Sequence, residues 1–436
     1  MKKQKTFFIL GIIVFLNTFA WAGTVYILNS NSETISKYDT ESGEVINDIL
    51  QVGQYANQIV SDSERAYVVN SGEHNVQVID LANETTTGSI PLPNGSNPYW
   101  MILMPDGTKG YVTGLMTNKT YVIDTQSLEV INTIDVGLAP EGLCLWGETL
   151  FVVNTEYNWT DPYSTKSTLS VIDTENNQVI TTIQLDYYNA QYCDLDAMGR
   201  LHVVCSGAYD NTGRVYIIDT QSFTVCDSVM IGGSPTKINI HDNGIAYLAD
   251  AFGQGCMAYD TNSLEIIHSN TDLFAQGGTF IQFDINGNIY IGDALNWIDN
   301  GKVYVYSPEE QLTTTFTVGI IPIDAAFYGF EPEPGIGDSP QPADGVQLSN
   351  FPNPFSTSTT ISFSIPPHYK DDAEIEIYNL KGQRIRELKI ENLKLKINKV
   401  VWDGKDAYGK QMPSGIYFAK LSLGEESAVK KMLLLR

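Results

Sequence analysis

Basic residues are scarce through most of this chain. The 436 residues carry a formal net charge of −25, and the imbalance is local. Between Gly23 and Gly345 nine Lys and Arg face 41 Asp and Glu, whereas Val346–Arg436 carries 14 against 10. Binding nucleic acid needs Lys and Arg to release counterions from phosphates, so the acidic part excludes that partner and disfavours anionic membrane surfaces. The jump in charge also marks a domain boundary. Histidine is equally sparse. His74, His202, His241, His268 and His368 form no His-x-His pair and no His-Glu-x-x-His motif. There is no Gly-x-Ser-x-Gly elbow and no phosphate-binding glycine loop leading into a helix. Catalytic residues, metal ligands and cofactors are therefore not expected. Cysteines at 144, 193, 205, 226 and 256 make no Cys-x-x-Cys, which removes zinc and redox motifs. Cys193 and Cys205 flank a tight turn, and both a disulfide and buried free thiols fit them.

Long apolar runs are also missing, with one exception. Phe7–Leu16 follows Lys2, Lys3 and Lys5 and precedes Ala20-Trp21-Ala22, the pattern of a secretory signal peptide over residues 1–22. Asn17 interrupts the run, which is too short for about 30 Å of hydrocarbon. The mature chain is thus expected not to span a membrane. No cysteine near the cleavage site suggests a lipoprotein.

What the chain does contain is repetition. VYILNS (25), AYVVNS (66), GYVTGL (110), LFVVNT (150), LHVVCS (201), AYLADA (246) and IYIGDA (289) recur at intervals of 41, 44, 40, 51, 45 and 43 residues. Each is followed by a strand such as VQVIDL or YVIDT, then by a third, as in EVINTIDVG, and a fourth, as in NPYWMILMPDG. Four strands per period of about forty is the mark of propeller blades. The predicted fold is all-β, a seven-bladed β-propeller over 23–330. IPIDAAFYGF (321–330) would supply the innermost strand missing from the first blade and so close the ring.

The Tyr-Val-x-Asn strand followed by Val-Ile-Asp-Thr resembles the YVTN and YncE-like seven-bladed propellers. That resemblance covers about 300 residues. It implies the fold and leaves function open, because one fold hosts many activities.

The two faces of such a propeller differ. One carries short turns, including Asp106-Gly107, Asn286-Gly287 and the repeated Asp-Thr pairs at 124, 173, 219 and 260. Those aspartates are expected to cap turns. Asp284-Ile-Asn-Gly-Asn288 lacks the terminal Glu of a calcium loop and also reads as a turn. The other face carries long loops that differ in every blade and concentrate aromatic and acidic residues. Tyr99, Trp100, Tyr157, Trp159, Tyr187, Tyr188, Tyr192, Tyr209, Asp210 and Trp297 are the candidate ligand-binding residues. Rings on variable loops can stack on sugars or apolar side chains, and nearby carboxylates can bond hydroxyls or amines. The alternative role for several of these rings is to pack one blade against the next.

Residues 331–345 (EPEPGIGDSPQPADG) form a proline-rich acidic linker. Beyond it, strands are expected at 359–366, 373–379, 384–390, 396–402, 415–423 and 427–435, with turns at Lys381-Gly382 and Asp403-Gly404. Asn350-Phe-Pro-Asn-Pro-Phe355, IEIYNLKGQRIREL, WDGKDAYGKQMPSGIYFAKL and the ending KKMLLLR resemble both a FlgD-type Ig-like domain and the C-terminal sorting domain of type IX secretion cargo. The resemblance implies a non-catalytic β-sandwich over 346–436 that engages secretion machinery. The whole then reads as a secreted or cell-surface binding protein. Its partner would be an extracellular glycan, a peptide or a cell-envelope component. An extracellular propeller lyase or hydrolase and a surface-layer-like structural component are the alternatives.

Overall fold

The computed structural model describes residues 23–62, 64–329, 348–351, 359–364, 374–379, 383–388, 397–413, 415–423 and 426–434. The expected signal peptide, the linker, residues 352–355 of the Asn-Pro motif and the Lys381-Gly382 turn lie outside them. The chain divides into two units, one drawn from most of residues 1–333 and one centred on 334–436. Each is described by itself.

The first unit is seven four-stranded sheets, the blades of a propeller. Blades 2 to 7 each take four consecutive strands. Blade 1 is ordered Pro322–Tyr328, Thr24–Asn29, Thr34–Asp39, Val45–Gln51, so the last propeller strand pairs beside the first. Val25 faces Phe327 and Ile27 faces Ala325 in that antiparallel pair. The chain closes its own ring, and its last propeller strand covers the inner edge of the first.

Burial explains the sequence pattern of each blade. The second strands, such as Arg65–Asn70 and Thr149–Asn154, are buried along almost their whole length because neighbouring blades cover both faces. They read as continuous apolar runs for that reason. The outermost strands, such as Gln178–Gln184, are exposed except for one inward residue, Ile183. Between blades 2 and 3, Tyr67, Val69 and Val76 pack on Val112, Tyr121 and Ile123. Each such fully buried side chain contributes roughly 1.5–3 kcal/mol.

The turns between third and outermost strands repeat one geometry seven times. Gly43, Glu84, Leu128, Asn177, Phe223, Leu264 and Glu310 all take a left-handed backbone, with φ from 51° to 74°. In blades 1 to 6 the aspartate at the end of the preceding strand accepts backbone N–H groups, and in blade 7 the Ser307 hydroxyl does so. Asp124 Oδ1 takes those of Gln126 and Ser127 at 2.9 and 2.7 Å. Asp219 and Asp260 do the same. Asp284 accepts the N–H of Asn286 and Asn288 and is a turn of the same kind on the inner hairpin of blade 7.

All five cysteines are free thiols. The thiol of Cys144 in blade 4 donates to the Cys193 carbonyl of blade 5 at 3.5 Å.

The second unit has a three-stranded sheet (Leu348–Phe351, Thr359–Ser364, Ile397–Trp402) and a four-stranded one. The latter is ordered Arg384–Leu388, Glu374–Asn379, Gly415–Leu423, Glu426–Leu434. Ile361, Phe363, Ile375, Ile377, Trp402, Tyr417 and Leu421 form its core. The Trp402 indole donates to the Lys405 carbonyl at 2.9 Å, which satisfies its one polar atom.

Candidate functional site

In five blades the innermost strand slips register where it reaches the long-loop face. The slip lies between Ala56 and Gln58, Pro98 and Met101, Pro140 and Leu143, and Pro235 and Ile238, and again at Pro322. Bulges of this kind release a residue from the ladder and re-aim its side chain. Tyr99, Trp100, Glu141, Thr236, Lys237 and Ile323 all stand at these slips.

A cavity of about 160 Å³ opens there, lined by Tyr99, Gln191, Tyr192, Lys237, Asp250 and Trp297, with Thr236, Gly278, Thr279 and Ile323 among the rest. Five blades contribute to it. Beneath, the edge of the Trp100 ring meets Tyr192 with centroids 5.0 Å apart, and Tyr192 donates its hydroxyl to that of Tyr99 at 3.1 Å.

Lys237 is the one cation of the lining among the described residues. It is only 8% exposed, and its Nζ lies 5.2 Å from the Trp100 ring centroid and 6.0 Å from that of Tyr192. The ammonium donates to the Ile323 carbonyl at 2.5 Å. Burial holds its pKa below the usual lysine range, partly offset by the charge of Asp324. Asp324 is itself engaged, accepting from Gln282 Nε2 at 2.9 Å and from the Ile59 N–H at 3.1 Å. Burial pushes its carboxyl upward.

Glu141, from blade 4, is 8% exposed and its Oε2 has no hydrogen-bond partner. Desolvation pushes this carboxyl up to about 8, so it is mainly protonated at neutral pH. Burial raises the hydroxyls of Tyr99 and Tyr192 above the usual tyrosine range, and Glu141, once ionised, adds to both shifts.

The candidate residues therefore separate. Tyr99, Tyr192 and Trp297 line the cavity, and Trp100 packs below it. Tyr157, Trp159 and Tyr163 form their own ring cluster on the blade 4 loop, with centroids 4.9 and 5.8 Å from Tyr157. Trp159 is 67% exposed there. The Tyr187 hydroxyl donates to the Thr212 carbonyl at 2.8 Å, under the Arg214 guanidinium, and its ring lies 6.1 Å from that of Tyr188. Tyr209 contacts Phe252, and Asp210 accepts from the Thr212 hydroxyl. Sequence reasoning missed Lys237, Glu141, Asp250 and Gln191. A lysine inside a segment so poor in cations was the available signal.

The histidines of the propeller are held by neighbouring groups. His202 Nδ1 pairs with the Tyr259 hydroxyl at 2.6 Å, His241 Nε2 with the Gly287 carbonyl at 2.9 Å, and His268 with Glu310 at 3.1 Å. Among the described residues no three His, Cys, Asp or Glu gather as a metal site. No helix among them is long and apolar enough to cross a membrane.

Residues 349–435 match a secretion system C-terminal sorting domain. The match supports export by type IX secretion to the cell surface or exterior, and interaction of the tail with that machinery. It names the sorting family rather than the FlgD-type one. For the propeller, similar solved structures agree on fold alone. A protein of unknown function from Desulfotomaculum acetoxidans is 12% identical with a TM-score of 0.54, over 70% of this chain and 99% of that one. A quinonprotein alcohol dehydrogenase-like protein from Bacteroides thetaiotaomicron is 17% identical with a TM-score of 0.51, over 70% and 78%. Kuenenia stuttgartiensis hydrazine synthase is also 17% identical at 0.51, over 62% and 88%. These neighbours do not single out the YVTN or YncE subdivision. No curated protein matches the chain.

Proposed function

We propose that the exported protein is a non-catalytic binding protein. Its propeller captures an extracellular ligand in the cavity at the end of the innermost strands, and its tail directs surface delivery or release. One observation carries this reading. Aromatic rings from blades 3, 5 and 7 and a buried lysine from blade 6 converge on one opening, where the ladder is broken in several blades at once. Convergent polar groups in an aromatic-lined concavity are the usual make-up of a ligand site.

The test is binding of the full mature chain to a panel of glycans and peptides, with Trp297→Ala and Trp159→Ala in parallel. Trp297 lines the cavity and Trp159 does not, so binding falls in the first variant and survives in the second. Equal binding by wild type and Trp297→Ala, with circular dichroism unchanged, overturns the reading.

A further inference from the structure

We infer that the cavity takes a sugar acid, a pyranose ring bearing a single carboxylate; this rests on the binding reading above and names its ligand class. The argument starts from Lys237. An ammonium has three donors, and among the described residues this one makes a single hydrogen bond, to the Ile323 carbonyl. It forms no ion pair with a described residue, although it is more than nine-tenths buried. Two N–H donors are left on a desolvated cation that lines a cavity. Aromatic faces at 5.2 and 6.0 Å compensate the charge only in part. Asp324, the carboxylate close enough to act on it, has both oxygens committed elsewhere. A buried cation so placed gains most from an incoming anion, through charge-assisted hydrogen bonds in a low-dielectric site.

The rest of the lining selects what carries that anion. Tyr99 and Trp297 offer ring surface, Trp297 being 46% exposed. Asp250 accepts the Phe252 N–H at 2.9 Å on Oδ2 and has Oδ1 to offer an alcohol. Gln191 receives the Ser206 hydroxyl on Oε1 at 2.8 Å, and its amide N–H groups reach only as far as the Tyr209 hydroxyl at 3.5 Å. A sugar ring presents an apolar face to stack and hydroxyls for a carboxylate and an amide. One carboxylate on it would meet Lys237. The strongly acidic propeller, nine Lys and Arg against 41 Asp and Glu over Gly23–Gly345, repels long polyanions. The fitting partner is thus a lone acidic sugar, free or within a mainly neutral glycan.

Calorimetry on the full mature chain would compare D-glucuronate and D-galacturonate with D-glucose, D-galactose and sodium acetate. A uronate should bind roughly ten-fold or more tighter than its neutral hexose and than acetate. Lys237→Met should erase that preference, Lys237→Arg should keep part of it, and Trp297→Ala should weaken the acidic and neutral sugars alike. Neutral sugars binding as tightly as uronates, or a preference that survives Lys237→Met, overturns the inference. Acetate binding as well as uronate removes the sugar half and overturns it too. If no uronate binds while the glycan and peptide panel still gives Trp297-dependent binding, the sugar-acid inference fails and the binding reading stands. If that panel also gives nothing, both fail.

Discussion

Gly137 and Asn154 in blade 4 share one space: a Cβ on Gly137 would stand 2.5 Å from Asn154 Cγ. Asn154 cannot withdraw, because it is fully buried and its Nδ2 is bonded to Thr168 and Ser170 hydroxyls at 3.0 Å each. Gly53 with Asn70 and Gly319 with Asn29 repeat the arrangement in blades 2 and 1. The Asn of the Tyr-Val-x-Asn string thus ties a blade's second strand to the turn that delivers its innermost one. Gly137→Ala should destabilise the propeller by about 1–3 kcal/mol through overpacking, read as a lowered denaturation midpoint with an unchanged m-value. A midpoint equal to wild type would show that Asn154 repositions freely.

Glu141 makes stability depend on pH in an unusual direction for a carboxylate. Its folded pKa is raised from 4.5 to about 8. The protonated acid is what the fold accommodates, so this stabilisation is complete below pH 4.5 and is lost as pH rises through 8. Glu141→Gln keeps the shape and removes the titration. Wild type should lose stability between pH 5 and 8.5 by up to a few kcal/mol more than the variant does. Parallel pH profiles for the two proteins, measured by thermal melting, would contradict the buried uncharged carboxyl.

Much of this architecture was legible in the sequence because period and turn chemistry are local. Strings such as AYVVN and VQVID announce covered strands, and Asp-Thr pairs announce the turns that follow them. Ring closure by residues 321–330 could be read from the missing strand of blade 1. The cavity could not be read in the same way. Gln191, Lys237 and Ile323 come from the innermost strands of blades 5, 6 and 1 and meet only because those strands converge, and each looks like an ordinary strand residue until the fold is seen. Trp100 and Trp159 illustrate the opposite case. Both sit on the aromatic-rich face, yet one packs on Tyr192 and the other joins a separate loop cluster.

Thiol chemistry gives an independent check on packing. Cys144, Cys205 and Cys256 are buried; burial pushes the Cys205 and Cys256 thiols well above their ordinary range, and a side-chain hydrogen bond with Cys193, together with burial, does the same for Cys144. Cys226 is exposed on an outermost strand. Because the thiolate is the reactive form, native protein should titrate with one fast thiol, and Cys226→Ser should remove it. Cys193, partly exposed, should follow more slowly. Rapid modification of Cys205 or Cys256 without denaturant would mean that blades 5 and 6 open readily.

Two sets of acids pull stability in opposite directions, and their balance sets an optimum. Backbone hydrogen bonds from Ser42, Ser127, Ser222 and Ser263 hold the carboxyls of Asp39, Asp124, Asp219 and Asp260 below the usual value of 3.8. Asp80 and Asp173 are lowered chiefly by the side-chain amides of Asn83 and Asn176. The stabilisation from a depressed acid is present above its unfolded pKa and disappears as pH falls through the folded one. These six turns therefore weaken together below about pH 4. Glu141 and Asp324, raised by burial, weaken the fold as pH climbs, and self-repulsion at a net charge of −25 adds to that loss. The melting temperature should peak in mildly acidic solution, at roughly pH 4.5–5.5, and fall on both sides. Asp124→Asn should blunt the acid limb and leave the alkaline limb in place, whereas Glu141→Gln should do the reverse. A single variant that flattens both limbs would mean that one shared transition, rather than these separate groups, governs the response.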